Sequence, residues 1–395
     1  MQRHRARCCA LQDEAIKLLS VLSMRVVVLT KRQYTNRDVI DDRYGRLWEI
    51  PFELARQGHS VTCVCLSYRK RDAGLKTYED AQGHTIRWIS VNLGVFAIFG
   101  ILKFLYVANR IIKEESPDVI WSSSDTIYIV VGYYFSRLYG CRSVADLYDN
   151  FESFVSYRIP ILRTLFRRAV RDSDGVSCVS ECLCRHIVTD YGREKLTSVI
   201  TNAVDLNVFR PMDKVDCRKT IGLPQDIVLV GSAGAMNTHR GADMMFQANA
   251  GHSGELEGVH FVVAGYRPAG TPIPKADTIH DFGLIPFEDV PVLLNSLDLA
   301  VVYNRKSQFG DFCFPQKFYE ILACRIPVIA ADVGEMSILL KSYPHLLYED
   351  GNVDSFILAA KQQLARRELL DLDIPTWRDQ ALLLEELMEA VSVKS

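Results

Sequence analysis

The sequence predicts an α/β protein built from two Rossmann-like halves. Residues 25–30 form an apolar run, a loop containing Gly45 follows, and then come a helical pattern to Ala55 and a second apolar run over residues 61–66. A strand, a glycine loop, a helix and a strand in this order make a Rossmann-like unit. The alternation restarts later, with strands predicted over residues 227–233, 259–264, 278–282 and 299–303. A length of 395 residues also fits two domains of ordinary size better than one.

Composition excludes several classes of protein. Apolar residues make up 48% of the chain and charged residues 24%, as in a soluble globular protein. The formal net charge of −2 gives no electrostatic footprint for nucleic acid, so we expect no nucleic-acid partner.

The eleven cysteines are scattered, except for a cluster of Cys178, Cys182, Cys184 and His186. Their spacing fits no common zinc pattern, so we expect buried thiols and no metal. Reduced cysteines are typical of a cytosolic protein.

Residues 1–23 begin with basic residues, as a signal peptide does. Asp13, Glu14 and Lys17 interrupt what would be its apolar core, so we predict a weakly ordered leader instead. Met24 directly precedes the first strand and is an alternative start.

Two features bear on membranes. The apolar stretches 93–107 and 127–135 are shorter than the ~20 residues that a spanning helix needs. Residues 161–171 divide into an apolar face and a face with Arg163, Arg167 and Arg171. Such a helix either lies on an anionic membrane surface or packs on the core with one solvated side, and the sequence leaves both open.

Polar residues crowd the end of the strand predicted over residues 142–147. Asp149 and Asn150 follow it directly, at the edge where ligands bind in open α/β sheets. Asp149 is therefore a candidate for contact with a substrate, and helix capping is the alternative.

The stretch 314–335 predicts a short helix that leads into a buried strand, with Pro315, Lys317 and Glu320 at the start of the helix. A helix N-terminus attracts phosphate, and Lys317 adds a full positive charge. Glu320 lies on the same side and is able to accept both hydroxyls of a ribose. The alternative is an exposed ion pair between the two side chains.

This order, P-x-K-x-x-E followed by P-V-I-A and D-V-G, resembles the donor-binding signature of retaining glycosyltransferases of family 4, in the GT-B group. The family signature begins with another glutamate, eight positions before Glu320, where this chain has Phe312. The adjacent Asp311 is a candidate to replace that glutamate. The family also has an arginine where this chain has Ala235.

The resemblance implies the GT-B fold, in which two Rossmann-like domains face each other across a cleft and a C-terminal helix returns to the first domain. It places an acceptor-binding domain at 24–208, a nucleotide-sugar-binding domain at 209–374 and the returning helix at 375–395.

The resemblance also implies site residues. Asp149 would face the transferred sugar, and Arg240, in a T-H-R-G sequence that resembles the family's K-G, would bind the diphosphate with Lys317. The implied catalytic residues are Asp149, Arg240 and Lys317; the implied donor-binding residues are Gly45, Gly234, Arg240, Gly283, Leu284, Pro315, Lys317 and Glu320.

The function implied is transfer of a hexose, with retention, from a nucleoside-diphosphate sugar to a glycan or lipid-linked acceptor in polysaccharide biosynthesis. No cofactor and no metal is expected, and the location would be cytoplasmic, with peripheral contact to the inner face of an anionic membrane. A non-catalytic GT-B subunit that binds nucleotide sugar or a partner enzyme is the main alternative, and a GT-B epimerase or phosphorylase is another.

Overall fold

The computed structural model describes residues 23–34, 37–236, 240–251, 256–267 and 273–393. Contacts divide the chain into two compact units, one of residues 1–122 with 131–143 and the other of residues 123–130 with 144–395. The predicted leader lies almost entirely outside the described residues. The predicted domain boundaries stay a prediction.

The strands alternate with helices along most of the chain. The strands are β1 (Arg25–Lys31), β2 (Gln33–Tyr34), β3 (Arg37–Asp38), β4 (Ser60–Ser67), β5 (Gly74–Glu79), β6 (Thr85–Asn92), β7 (Val119–Ser123), β8 (Arg142–Leu147), β9 (Gly175–Cys178), β10 (Thr197–Val199), β11 (Val228–Ala233), β12 (Val259–Ala264), β13 (Ile279–Asp281), β14 (Leu299–Val302), β15 (Val328–Ala331) and β16 (Leu347–Tyr348).

The helices are α1 (Arg46–Arg56), α2 (Ala97–Glu115), α3 (Thr126–Tyr139), α4 (Pro160–Asp172), α5 (Glu181–Asp190), α6 (Lys214–Ile221), α7 (Asp243–Gly251), α8 (Val290–Asn295), α9 (Lys317–Ala323), α10 (Glu335–Leu339), α11 (Val353–Arg366) and α12 (Trp377–Val393).

In the first unit, β7, β1, β4 and β6 lie side by side as parallel strands, and β5 pairs antiparallel with β6. β1 and β4 are buried along almost their whole length. Parallel strands covered on both faces read as continuous apolar runs, which is why the sequence reveals these two. α1 packs through an apolar face that includes Leu47, Ile50 and Leu54.

In the second unit, β8, β9 and β10 are parallel neighbours. A separate sheet has the order β13-β12-β11-β14-β15-β16 and is parallel throughout. Its core includes Phe261, Val301, Ile329 and Phe356. Because all these strands point the same way, their carboxyl ends meet at one edge, where ligands of open α/β sheets bind.

The helix α12 packs on β9 and β10. A Cβ atom at Gly175 would lie 3.3 Å from the side chain of Leu387, so the helix approaches the strand closely. Trp377, at the start of α12, is 9% exposed. β9 and β10 belong to residues 24–208, so the C-terminal helix packs on strands of the predicted first domain, although contacts place the helix and both strands in the second unit.

The structure adds elements that the sequence did not reveal. The polar segment after β1 contains the short hairpin β2–β3, and residues 74–79 form an edge strand with several exposed residues. The apolar stretch 93–107 enters α2 and leaves Val95 and Phe96 exposed, at 96% and 70%. In the described part of the chain, every helix is too short or too polar to cross a bilayer.

Candidate functional site

Lys317 lies beside a glycine turn at the carboxyl edge of the second-unit sheet. β11 ends at Ala233, and Gly234 follows with a φ of 135°, a conformation that favours glycine. A Cβ atom at Gly234 would lie 3.2 Å from Lys317 Nζ. Nζ also lies 3.6 Å from the centre of the Tyr303 ring, a cation–π contact. The Tyr303 hydroxyl donates a hydrogen bond to the carbonyl of Ala235 at 2.9 Å, which fixes the ring.

The pKa values of Lys317 and Glu320 are both shifted to near neutrality. Burial, and then the positive charge of Arg240, lower the pKa of Lys317 to about 7, against the opposing effect of Glu320. Burial raises the pKa of Glu320 to about 7, although Lys317 acts in the other direction. Within the described ranges, no hydrogen bond or ion pair holds the Lys317 ammonium. A bound anion would favour the protonated, charged form of Lys317.

Arg240 lies on an exposed turn before α7. Its guanidinium carbon is 4.3 Å from the centre of the Phe309 ring. A Cβ atom at Gly241 would lie 3.1 Å from the carbonyl oxygen of Asn304, so the turn lies close against the segment that carries Phe309. Residues 238 and 239 of the same motif lie outside the described residues.

The thiol of Cys313 shows that the three implied catalytic residues come together. Burial raises its pKa to about 12; Asp149 acts in the same direction, and Arg240 and Lys317 act in the other. The charges of the three residues all act on this half-buried thiol, so their side chains lie in the same region of the second unit. Asp149 also accepts a hydrogen bond from the backbone N–H of Asn150 at 2.8 Å. Asp149 therefore bonds to the local backbone and also acts on the same thiol as Arg240 and Lys317.

The start of α9 is less open to phosphate than the sequence indicates. The N–H groups of Phe318, Tyr319 and Glu320 donate to the carbonyls of Pro315 and Gln316. Pro315 precedes the helix by two residues. These three N–H groups are therefore paired within the first turn, and the Lys317 side chain adds positive charge at the start of the helix.

Three glycine turns stack at the ends of β11, β12 and β13. The N–H of Gly234 donates to Ala264 at 2.9 Å, and the N–H of Gly265 donates to Gly283 at 2.7 Å. A Cβ atom at Gly265 would lie only 1.7 Å from the carbonyl oxygen of Gly234. Leu284 follows Gly283 and is 77% exposed. Gly234, Gly283 and Leu284 thus lie in consecutive turns made mainly of backbone.

Gly45 belongs to the other unit. It has a φ of 74° and directly precedes α1, and a Cβ atom there would lie 2.6 Å from a ring carbon of Tyr34. Packing against Tyr34 accounts for the glycine without reference to a ligand.

Phe312, where the family signature has a glutamate, turns its ring onto His186, with ring centres 4.7 Å apart and planes at 28°. Burial raises the pKa of Asp311, and its charge acts on the thiol of Cys182. The replacement of the missing glutamate by Asp311 stays a prediction.

The sequence indicates His186 only as a member of the cysteine cluster and does not predict its contact with Phe312. A histidine beside cysteines directs attention to metals, and only the fold reveals its contact with residue 312. Among the described residues, no group of three or more His, Cys, Asp or Glu side chains is arranged to hold a metal ion. Cys178 is buried, and burial raises the pKa of its thiol.

Two protein-family models match this chain. A model described as Glycosyltransferase Family 4 matches residues 47–208, and one described as Glycosyl transferases group 1 matches residues 224–366. Together they cover about three quarters of the chain. The chain belongs to glycosyltransferase family 4.

This family 4 chain also has curated relatives. The D-inositol 3-phosphate glycosyltransferases of Mycobacterium bovis and Mycobacterium tuberculosis are each 28% identical over 197 residues. The alignment covers 46% of this chain and 39% of each relative, so the chain spans well under half the length of these relatives.

Solved structures share the fold. Sucrose-phosphate synthase from Thermosynechococcus elongatus is 15% identical with a TM-score of 0.67, covering 94% of this chain and 97% of that one. HepE from Anabaena, in complex with UDP, is 15% identical with a TM-score of 0.66, covering 94% and 98%. The two Rossmann-like halves with parallel sheets are those of the GT-B fold.

Proposed function

We propose that this protein transfers a hexose from a nucleoside-diphosphate sugar to a glycan or lipid-linked acceptor, with retention of configuration and without a metal ion. The observation that carries the proposal is the Lys317 ammonium, which lies beside the Gly234 turn and close to Arg240. It has no anionic hydrogen-bond partner in the part of the chain that the structure describes.

The proposed chemistry needs positive charge more than a base. Departure of the nucleoside diphosphate leaves a sugar with oxocarbenium character, and the largest new negative charge develops on the leaving phosphate. Lys317 and Arg240 stabilise that charge, since fixed cations in a partly buried place act strongly on it. Glu320 binds the ribose hydroxyls, and Asp149 faces the sugar. The departing phosphate assists deprotonation of the acceptor on the same face.

UDP and UDP-glucose are the first ligands to test, because HepE was solved in complex with each of them. Purified protein would be incubated with a panel of labelled nucleotide sugars and glycan or lipid-linked acceptors, with and without a chelator. Release of nucleoside diphosphate together with a product of retained anomeric configuration, unaffected by the chelator, is the expected result. Saturable binding without turnover on any acceptor would instead favour a non-catalytic subunit, and absence of any nucleotide binding would remove both readings.

Donor binding should exchange protons with the solvent, with a sign that changes near pH 7. The pKa values of Lys317 and Glu320 are both about 7. A bound diphosphate favours charged Lys317, and bound ribose favours ionised Glu320. The protein should therefore take up nearly one proton at about pH 8, where Lys317 was neutral, and release nearly one at about pH 6, where Glu320 was protonated. Calorimetry in buffers of different ionisation enthalpy measures both.

The matched variant is Glu320→Gln, which removes one of the two titrating groups. It should lose the release of protons at the lower pH and keep the uptake at the higher pH. The same exchange at both pH values in the unmodified protein would contradict the assignment of Lys317 and Glu320 as donor ligands.

We further propose peripheral contact with the inner face of an anionic membrane, through the segment that leads into α4. Val155, Ile159 and Ile161 are 77%, 55% and 75% exposed. Arg158 and Arg163 lie beside them without an ion pair in the described ranges. Exposed apolar side chains next to unpaired arginines suit an anionic lipid surface.

Vesicle flotation tests this contact. The protein should float with vesicles that contain anionic lipid and stay behind with neutral ones, and the double change Arg158→Glu and Arg163→Glu should remove the preference. The double change Lys341→Glu and Arg366→Glu, at exposed positions after α10 and at the end of α11, serves as the charge-matched control. Equal flotation of the unmodified protein with both kinds of vesicle would rule the contact out.

A further inference from the structure

The segment 304–313, here called the aromatic loop, carries two phenylalanine rings that each lie against a cationic side chain. Phe309 lies under the guanidinium of Arg240, at 4.3 Å from ring centre to guanidinium carbon. Phe312 stacks on the imidazole of His186, at 4.7 Å between ring centres. The aromatic loop therefore contacts both Arg240, which is proposed to bind the donor diphosphate, and His186 on α5.

His186 is held as a cation by two carboxylates. Its Nδ1 lies 2.7 Å from Asp190 Oδ2, and its Nε2 lies 3.2 Å from Glu152 Oε2. A neutral imidazole has one N–H and donates only once, so two such contacts require both ring nitrogens to be protonated. The hydrogen bond to Glu152, and then Asp190, raise the pKa of His186 despite its burial.

The carboxylate of Glu152, which contacts His186, is itself held by hydrogen bonds. Glu152 accepts hydrogen bonds from the hydroxyls of Tyr157 and Tyr191 at 2.6 and 2.8 Å. Burial alone would raise the pKa of Glu152, but His186 and the two tyrosines lower it to about 2. The imidazole ring consequently has a defined orientation when Phe312 packs on it.

The aromatic loop transmits the position of Phe312 to Phe309. The N–H groups of Phe312 and Cys313 both donate to the carbonyl of Phe309, at 3.3 and 3.0 Å. The hydroxyl of Ser180 donates to the carbonyl of Phe312 at 2.6 Å, and the Asn150 amide donates to Gln308 at 2.9 Å. The backbone at Phe312 and the backbone at Phe309 are thus joined directly by hydrogen bonds.

We propose that His186 is a positioning residue for donor binding, which acts through Phe312 and the aromatic loop to hold Arg240 over Phe309. The proposal rests on the proposed function, because it takes Arg240 as a ligand of the donor diphosphate. It also gives a reason for Phe312 in this chain: an aromatic ring offers an imidazolium a flat face at this position.

The test is the affinity for UDP, measured by calorimetry. Phe312→Leu removes the ring face and should weaken UDP binding about fivefold, the equivalent of one cation–π contact. Phe312→Tyr keeps the ring and should bind as the unmodified protein does. His186→Gln should weaken binding to a similar extent, and its effect should not add to that of Phe312→Leu, since the two residues act as one unit.

The Arg240→Gln variant, used as a background, distinguishes a positioning role of Phe312 from a general structural one. If the aromatic loop acts through Arg240, the effect of Phe312→Leu should disappear when Arg240 is already replaced by glutamine. His260→Gln is the histidine control, because His260 bonds to His280 on neighbouring strands β12 and β13, and it should leave the affinity unchanged.

Two results would overturn the proposal: UDP affinity unaffected by Phe312→Leu, or a loss of equal size with and without Arg240. Thermal unfolding of each variant shows whether a loss of affinity reflects unfolding. If the leucine variant is unstable, His186→Gln, measured with and without Arg240, tests the same proposal, and an unchanged affinity in it would overturn the proposal. Failure of the unmodified protein to bind any nucleoside diphosphate is a separate outcome, which would remove the proposed function itself.

Discussion

Replacing Lys317 with methionine is expected to reduce kcat/KM for the sugar donor at least about tenfold. Methionine keeps much of the apolar stem that packs near Gly234 and Tyr303 and removes only the ammonium. A charge-assisted contact contributes roughly 1.5–3 kcal/mol, and about 1.4 kcal/mol corresponds to a factor of ten in rate. Because the charge matters most as the phosphate leaves, kcat should fall more than donor affinity. Steady-state release of nucleoside diphosphate measures both.

Lys341→Met is the matched control. Lys341 is exposed, in the turn after α10, and its loss should leave the kinetics unchanged. Arg240→Gln should resemble Lys317→Met in direction and size, since both side chains face the same leaving group in the proposal. Near-normal activity in both variants would refute the assignment of these two residues.

Replacing Gly265 with alanine is expected to destabilise the second unit by about 3 kcal/mol or more and to weaken nucleotide binding with it. The added Cβ atom would lie 1.7 Å from the carbonyl oxygen of Gly234, and the φ of 139° is one that alanine rarely adopts. Backbone on both sides must move, and Gly234 already lies close to Lys317. Urea unfolding gives the free energy, and UDP calorimetry gives the affinity.

Gly258→Ala provides an unusually close control, because Gly258 lies just before β12 and Gly265 just after it. Gly258 also has a positive φ, of 75°, but nothing lies within 4 Å of the position of its Cβ atom. Its replacement should cost only about 1 kcal/mol, from backbone conformation alone. Equal destabilisation by the two substitutions would show that the close approach of Gly265 to Gly234 has no special importance.

How well the sequence predicts a strand depends on whether that strand is buried. Buried parallel strands such as β1, β4 and β12 are continuous apolar runs, and the sequence places them within a residue or two. The edge strand β5 and the hairpin β2–β3 were missed, since their residues are largely polar or exposed and their pairing depends on neighbours. Local composition reveals a strand only where burial dictates it.

In the site, too, the sequence predicts some features and not others. Lys317 and Glu320 stand three positions apart, and a local motif is enough to propose them. The contacts of Phe312 with His186 and of Lys317 with Tyr303 join residues from different elements, and no spacing rule predicts them. The pKa of about 7 for Lys317 was also beyond reach, because it depends on burial and on Arg240.

The packing of α12 on β9 and β10 has a consequence for biosynthesis. The ribosome makes those strands long before it makes Leu387, whose side chain lies against Gly175. Until that helix emerges, an apolar surface of the nascent chain remains open to solvent and to chaperones. The packing around β9 and β10 therefore cannot be completed until α12 has been synthesised, although both strands lie near the middle of the sequence.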